Sequence, residues 1–288
     1  MPELPEVETV RRSLEPALFE GSIVAVETST LALRRRAIPR ELLRRALTGA
    51  RFTATRRHGK YLMLDTSAGA TVLVHLGMAG RLLLVDGAAP AAPHTHVTVR
   101  LSSGRALAYV DPRRFGIVRL YPTPALWTTE ELADLGPDPL DEAFVEGGFA
   151  AALGRTRRDL KAALMDQRLV AGLGNIYVSE ALFAAGLSPR RRAHRTRPGE
   201  RAALYAAIRE VLRRGVQNRG TSFSDYVDAD GRKGDNQRAL AVYGREGEPC
   251  RRCGAVVRRL VQAGRATYFC PRCQASTGTA SGTRRVGR

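Results

Sequence analysis

Lysine is nearly missing from this 288-residue chain: only Lys60, Lys161 and Lys233 among 46 basic residues are not arginine. A chain that prefers the planar guanidinium keeps an ammonium where a compact point charge is needed. Cysteine is confined to four residues near the end, so the chain is not a small disulfide scaffold. No apolar run reaches the roughly 18 residues a membrane span needs, and no signal peptide is visible. The expectation is a cytoplasmic protein with no membrane partner. There is no Walker-type loop, no Ser/His/Asp arrangement and no internal repeat. The five histidines lack metal-ligand spacing except His94-x-His96, a pair that reads as structural within a strand. Acidic residues are scarce too: 28 against 46 basic ones leave a net charge of +18 and a pI near 10.9. Such a bias predicts a polyanionic partner with salt-sensitive affinity, and nucleic acid fits better than a membrane surface. Simple solubility is the competing reading.

At 44 % hydrophobic content the chain has enough apolar residues for two domains, each with its own core. From about residue 22 to 121 the pattern is short strands with turn residues between them, at 22–26, 61–65, 71–76, 81–85, 97–101 and 107–110. Ser102-Ser103-Gly104 reads as a hairpin turn between the last two. Residues 135–148 are rich in Gly, Pro and acidic residues, as in an interdomain linker. The period then becomes helical. Leu160, Ala163 and Leu164 form one stripe; Leu204, Ala207, Ile208, Val211 and Leu212 form another, with Arg209, Arg213 and Arg214 opposite. The final Gly/Ser/Thr/Arg stretch, 275–288, has the composition of a disordered tail.

The first ten residues, MPELPEVETV, carry the most chemistry. Removal of Met1 would leave Pro2 with a free secondary amine. An α-amino group titrates near pH 8, so part of it is unprotonated and nucleophilic at neutral pH. It can attack a sugar C1′ and form an iminium, as a lysine Schiff base does with a carbonyl. Glu3 stands beside it as a proton donor and acceptor. Pro5 suits the first turn of a helix, and Val7, Val10, Leu14 and Leu18 recur at helical spacing. An ordinary amphipathic helix with acidic residues at its positive end is the alternative.

Cys250-x2-Cys253 and Cys270-x2-Cys273 use every cysteine in the chain. This spacing predicts one tetrahedral zinc, closed to substrate and therefore structural; two disulfides are the alternative. Between the pairs, Gln262-Ala263-Gly264-Arg265 reads as the turn of a β-hairpin finger. Gly172-Leu173-Gly174-Asn175 lies between helical patterns, where backbone N–H groups and a helix start could approach a phosphate. His75-Leu76-Gly77-Met78 and Asp111-Pro112-Arg113-Arg114-Phe115-Gly116 place an apolar side chain, arginines and an aromatic in strand-connecting turns. Enzymes acting on a base within a duplex must extrude it and fill the gap, and these residue types do that.

MPELPEVETVRR resembles the opening of the formamidopyrimidine-DNA glycosylases, bacterial enzymes that excise oxidised purines, and the match continues with gaps to about Gln274. The resemblance implies an α+β multidomain fold: an N-terminal β-sandwich with a leading helix, a helical helix–two-turn–helix domain and a C-terminal β-hairpin zinc finger. The corresponding boundaries are 1–133, a linker at 134–150, 151–242, 243–274 and the tail at 275–288. It also implies Pro2 as nucleophile, Glu3 as general acid/base and Lys60 as a phosphate contact that supports catalysis. Lys161, Asn175 and Arg265 would contact backbone phosphate. Met78, Arg113 and Phe115 would fill the void, Arg113 reading the orphaned cytosine, with His94 and Arg114 also against DNA. The one cofactor would be a structural zinc ion held by Cys250, Cys253, Cys270 and Cys273. The partner would be duplex DNA containing an oxidised base, bound by a nucleoid-associated monomer.

The sequence departs from the pattern at two places. The family's His-Asp-His is His94-Thr95-His96 here. Within the stretch 221–237, which closes over the extruded base in the family, an aromatic commonly stands where Asn236 does. Two alternatives stay open: the sister enzyme for oxidised pyrimidines, which usually has a glycine in place of Leu4, and a zinc-finger DNA-binding protein without catalysis.

Overall fold

The structure is a computed structural model and describes residues 1–31, 33, 37–223 and 225–275. The tail after Ala275, expected to be disordered, lies outside the described residues. Packing divides the chain into two compact units. The first comprises Met1–Val145, Asp166–Gly174 and Arg209–Leu240; the second comprises Glu146–Met165, Asn175–Ile208 and the chain from Ala241 onward.

The first unit opens with helix α1, Leu4–Leu18. Glu3 is its N-cap in extended conformation, and its N–H donates to Glu6 Oε2 at 2.8 Å, the return half of a capping box. Pro in the first turn removes an N–H that would have had no helical partner. Val7, Val10, Leu14 and Leu18 are buried as their spacing predicts. They enter a core between two four-stranded antiparallel sheets. The first sheet has the order β1-β6-β7-β5, with β1 Ile23–Thr28, β5 Arg81–Asp86, β6 Thr95–Leu101 and β7 Arg105–Val110. The second has the order β2-β3-β4-β8, with β2 Phe52–His58, β3 Tyr61–Thr66, β4 Ala70–His75 and β8 Ile117–Pro122. The six expected strands are present, and Ser102-Ser103-Gly104 turns β6 into β7, Gly104 N–H meeting the Leu101 carbonyl at 3.1 Å. Helix α2, Arg40–Leu47, and strands β2 and β8 were not legible. In β2 the run Thr55-Arg56-Arg57-His58 breaks apolar alternation, because its arginines are held by carboxylates rather than water.

Those carboxylates form a buried ionic cluster. The Arg57 guanidinium is sandwiched between Asp138 and Glu8, with Glu8 Oε2 at 3.1 Å. Asp138 Oδ2 also accepts the Gly59 N–H at 2.7 Å. Asp138 and Phe144, inside the stretch whose composition suggested a linker, are fully buried in this unit. Taking one partner from a buried pair leaves an uncompensated charge, which costs about 3–5 kcal/mol. Arg57→Ala should therefore lower unfolding stability by that order in urea titration. Arg100→Ala, which removes the exposed Glu27 pair, should cost under about 1 kcal/mol.

The same cluster predicts an acid limb. Burial by itself would raise the Glu8 carboxyl, but hydrogen bonds from Arg11 and Arg12 and the charge of Arg57 outweigh it and hold the group down at about 2. A depressed folded value stabilises above the unfolded value of 4.5 and is lost as pH falls toward 2. Glu8→Gln should flatten that part of a stability-versus-pH curve.

The second unit is helical with a terminal hairpin: α3 Glu146–Arg155, α4 Leu160–Leu164, α5 Asn175–Ala184, then β9 Arg258–Gln262 and β10 Arg265–Phe269. Helix α6, Pro198–Gln217, crosses from this unit into the first. Its Leu204, Ile208, Val211 and Leu212 are buried as the periodicity predicts. Buried Glu180 on α5 accepts the N–H groups of Ala241, Val242 and Tyr243 at 2.8–2.9 Å, fixing the segment that leads to the hairpin. Among the described residues no helix is long and apolar enough to cross a membrane.

Candidate functional site

Two of the predicted residues, Glu3 and Lys60, converge on one turn in the first unit, and Pro2 immediately precedes Glu3. Pro2 is buried, and so is Glu3. Glu3 Oε2 accepts the Gly174 N–H at 2.7 Å, and a Cβ at Gly174 would lie 2.5 Å from Glu3 Oε1, so only glycine admits the carboxylate. Lys60, also buried, donates from Nζ to the Leu173 carbonyl at 2.8 Å. The turn Gly172–Gly174 thus holds the Glu3 carboxylate and the Lys60 ammonium on adjacent backbone groups, one residue after Pro2 in the case of Glu3. The backbone groups of Gly172 and Gly174, expected to face a phosphate, are engaged within the protein: Gly172 N–H meets Gln167 Oε1 at 3.0 Å, and Leu4 N–H meets the Gly172 carbonyl at 3.1 Å.

Glu6 and Gln167 support this turn and had no role in the sequence reading. Glu6 is buried, with Oε2 on the Glu3 N–H and Oε1 on the Thr221 N–H at 2.7 Å. One carboxylate therefore joins the chain start to the beginning of the 221–237 stretch. The Glu3-x-x-Glu6 spacing was the available signal, since it is a capping-box spacing. Gln167 Nε2 donates to the same Leu173 carbonyl as Lys60, at 2.8 Å. In the 221–237 stretch, buried Asn236 donates from Nδ2 to Thr221 Oγ1 at 2.9 Å and accepts from Asn218 Nδ2 at 3.2 Å. Asn236 thus ties Thr221, at the start of that stretch, to Asn218 before it.

The turns after β4 and β7 present Met78 and Arg113 to solvent, with Phe115 half-buried and the Arg113 guanidinium 5.3 Å from its ring centre. Arg114 takes a left-handed backbone conformation, as does exposed His94. His96 is buried, and its Nε2 donates to the Asp111 carbonyl at 3.0 Å, consistent with a structural strand histidine.

In the second unit Lys161 and Asn175 are brought together, but not as two side chains reaching outward. Lys161 is buried, its Nζ 3.1 Å from Ser179 Oγ and 3.3 Å from the Asn175 carbonyl. Asn175 Nδ2 donates to the Ala266 carbonyl at 2.8 Å, next to exposed Arg265. The start of α5 and the finger hairpin are therefore fastened to each other. Gln262 and Arg265 pair across a two-residue turn in which Ala263 and Gly264 both have positive φ, as a hairpin of this length requires.

The four cysteines converge as their spacing predicts. Cys250 and Cys273 Sγ lie 3.9 Å apart, and Cys253 and Cys270 Sγ 3.5 Å apart. A tetrahedron with zinc–sulfur bonds of about 2.3 Å has sulfur–sulfur edges of about 3.8 Å. All four are free thiols, which removes the disulfide alternative. Burial raises the Cys273 thiol to about 12, aided by the neighbouring cysteines. Burial also opposes ionisation of Cys250, but the backbone N–H groups of Arg252 and Cys253 bring it down to about 7. A divalent cation is what allows four such sulfurs to be thiolates together. His58, Asp138 and Asp141 also cluster, but Asp138 is committed to Arg57 and Gly59, so that group is an ionic contact.

A basic chain with a buried carboxylate and ammonium at its N-terminal helix, and a four-thiolate centre behind a hairpin, defines a zinc-finger enzyme that works on nucleic acid. The comparisons specify which one. Residues 1–118 match the formamidopyrimidine-DNA glycosylase N-terminal domain, 135–227 its H2TH domain, and 247–275 the zinc finger found in FPG and IleRS. The formamidopyrimidine-DNA glycosylase of Moorella thermoacetica is 50 % identical over 260 residues, covering 90 % of this chain and 94 % of that protein. The structure of the MutM (Fpg) protein from Thermus thermophilus superposes with a TM-score of 0.85 at 43 % identity, covering 95 % of this chain and 98 % of the other. That of Lactococcus lactis Fpg with DNA containing an abasic site gives 0.87 at 35 % identity, covering 95 % and 100 %. The chain belongs to the formamidopyrimidine-DNA glycosylase family.

Proposed function

We propose that Pro2, freed by loss of Met1, is the nucleophile that releases an oxidised purine, 8-oxoguanine or formamidopyrimidine, from duplex DNA. The protein is a base excision repair enzyme, a DNA glycosylase and AP lyase. The Pro2 nitrogen attacks C1′, the glycosidic bond breaks and the base leaves. The Pro2 nitrogen loses its proton and Glu3 delivers one to O4′, so the C1′–O4′ bond opens and an iminium forms. The resulting iminium acidifies C2′–H, so the 3′ phosphate leaves by β-elimination and the 5′ phosphate by δ-elimination, opening a one-nucleotide gap. Lys60 supplies positive charge beside the reacting sugar phosphate. The observation that carries this reading is the convergence of buried Glu3 and Lys60 on one turn next to Pro2. Their desolvation makes the local electrostatics stronger than in water.

On the same reading Met78, Arg113 and Phe115 occupy the space left by the extruded nucleotide, and His94 and Arg114 lie against DNA. Lys161, Asn175 and Arg265 engage backbone phosphate, Lys161 Nζ and Asn175 at the start of α5 and Arg265 from the hairpin that the Asn175–Ala266 bond fastens to it. Zinc, when bound by the four cysteines, supplies only rigidity to the hairpin. The working form is a monomer in the cytoplasm, near the nucleoid.

Borohydride reduction tests the reading, because it traps an iminium as a stable amine. A covalent protein–DNA adduct should form with 8-oxoguanine duplexes and much less with thymine-glycol duplexes. Trapping that favours thymine glycol would assign the sister activity; binding without trapping would leave a non-catalytic binder.

A further inference from the structure

The turn bearing Arg113 and Phe115 is built around two buried groups that take no part in the chemistry above. Asp111 is fully buried, and its carboxylate faces inward along the turn. Oδ1 accepts the Arg113 N–H at 3.1 Å, and Oδ2 accepts the Gly116 N–H at 2.8 Å and the Tyr109 hydroxyl at 3.1 Å. The Asp111 carbonyl closes the turn by accepting the Arg114 N–H at 3.2 Å. An unpaired carboxylate would not remain buried, so the three donors and the acid specify one another.

Tyr109 extends the arrangement to the other turn. Its ring is buried, and its hydroxyl fills the place a Cβ on Gly116 would need. A Cβ on Gly80, just after Met78, would come within 3.0 Å of the same hydroxyl. One on Gly77 would meet the Gly116 nitrogen at 2.6 Å. The two turns are therefore packed backbone to backbone around one phenol. Burial and the adjacent Asp111 charge push that phenol's ionisation well above its usual range, so it stays a hydrogen-bond donor.

We propose that Asp111 and Tyr109 are positioning residues that fix Arg113, Phe115 and Met78 relative to one another and thereby set discrimination of the base opposite the lesion. The proposal rests on the gap-filling role given above to Arg113. Arg113 is exposed and its side chain has many rotamers, so without a fixed backbone its guanidinium could not present one fork geometry to one base.

The test compares Tyr109→Phe, Asp111→Asn and Arg113→Ala. The readouts are excision of 8-oxoguanine opposite cytosine against adenine, and lyase turnover on an abasic site in single-stranded DNA, which has no opposite base. Tyr109→Phe removes one hydroxyl and keeps the ring, so it should fold even if Asp111→Asn does not. Losing a buried hydrogen bond at the turn should lower the cytosine-to-adenine ratio about tenfold in Tyr109→Phe, with single-strand turnover kept within about twofold. Wild-type ratios in Tyr109→Phe and in any folded Asp111→Asn, beside an altered ratio in Arg113→Ala, would overturn the proposal. Parallel loss of single-strand turnover in Tyr109→Phe would overturn it too, by showing a general structural role. A wild-type ratio in Arg113→Ala would overturn the underlying reading.

Discussion

Extending the chain by an uncleavable residue before Pro2 is expected to abolish borohydride trapping and to lower excision by about 10³-fold or more. The extension turns the ring nitrogen into an amide, whose lone pair is delocalised and cannot attack C1′. Nothing else in the proposed machinery changes: Glu3 keeps its bond to Gly174, and Lys60 keeps its bond to Leu173. Affinity for lesion-containing duplex should therefore stay within a few-fold, separating loss of the nucleophile from loss of binding. Pro2→Gly is the milder companion. It keeps a free amine but replaces an iminium that is cationic once formed by an imine that must first gain a proton, so trapping should fall without vanishing. Mass spectrometry of the active wild-type protein should find Met1 absent. Full lyase turnover by a chain that retains it would refute Pro2 as nucleophile.

Removing zinc should have the second large effect, and in the other unit. The finger's apolar cluster is small: Phe183, Val242 and Val257, together with Cys250 and Cys270 themselves. Such a module lacks the buried surface to hold its hairpin unaided, and structural zinc contributes on the order of 10 kcal/mol in finger peptides. Chelation or Cys250→Ser should release β9 and β10 and with them Arg265 and the Ala266 carbonyl that Asn175 grips. Metal content should fall from one zinc to none. Duplex affinity should drop by roughly 10²-fold as phosphate contacts are lost, and the salt dependence of what remains should be shallower. The sandwich core of the first unit contains no cysteine and should melt unchanged. Intact binding by the metal-free protein would remove the finger from the DNA-contacting surface.

What could be read from residues alone followed short-range physics. The α1 stripe, six strands, the 102–104 turn and the cysteine quartet each depend on a local period or spacing. Strand β2 was hidden because Arg56 and Arg57 look like solvated residues until Asp65, Asp138 and Glu8 are seen to neutralise them. The stretch at 135–148 looked like a tether because its Gly, Pro and acidic content has that composition, yet Asp138 is in the core of an ionic cluster.

The chain by itself determined which chemistry is available: a proline amine with a neighbouring carboxylate, four thiolates for one metal, and a charge that calls for a polyanion. Only the tertiary structure decided which groups share a place. Glu3 and Lys60 are 57 positions apart in numbering and meet at a turn more than a hundred residues further on. Glu6 reaches Thr221 across a separation of 215 residues. Tyr109 and Asp111 prove to be the post on which two turns are hung. Period and spacing are fixed by bond geometry over a few residues, whereas a buried carboxylate finds its donors wherever the packed core brings them.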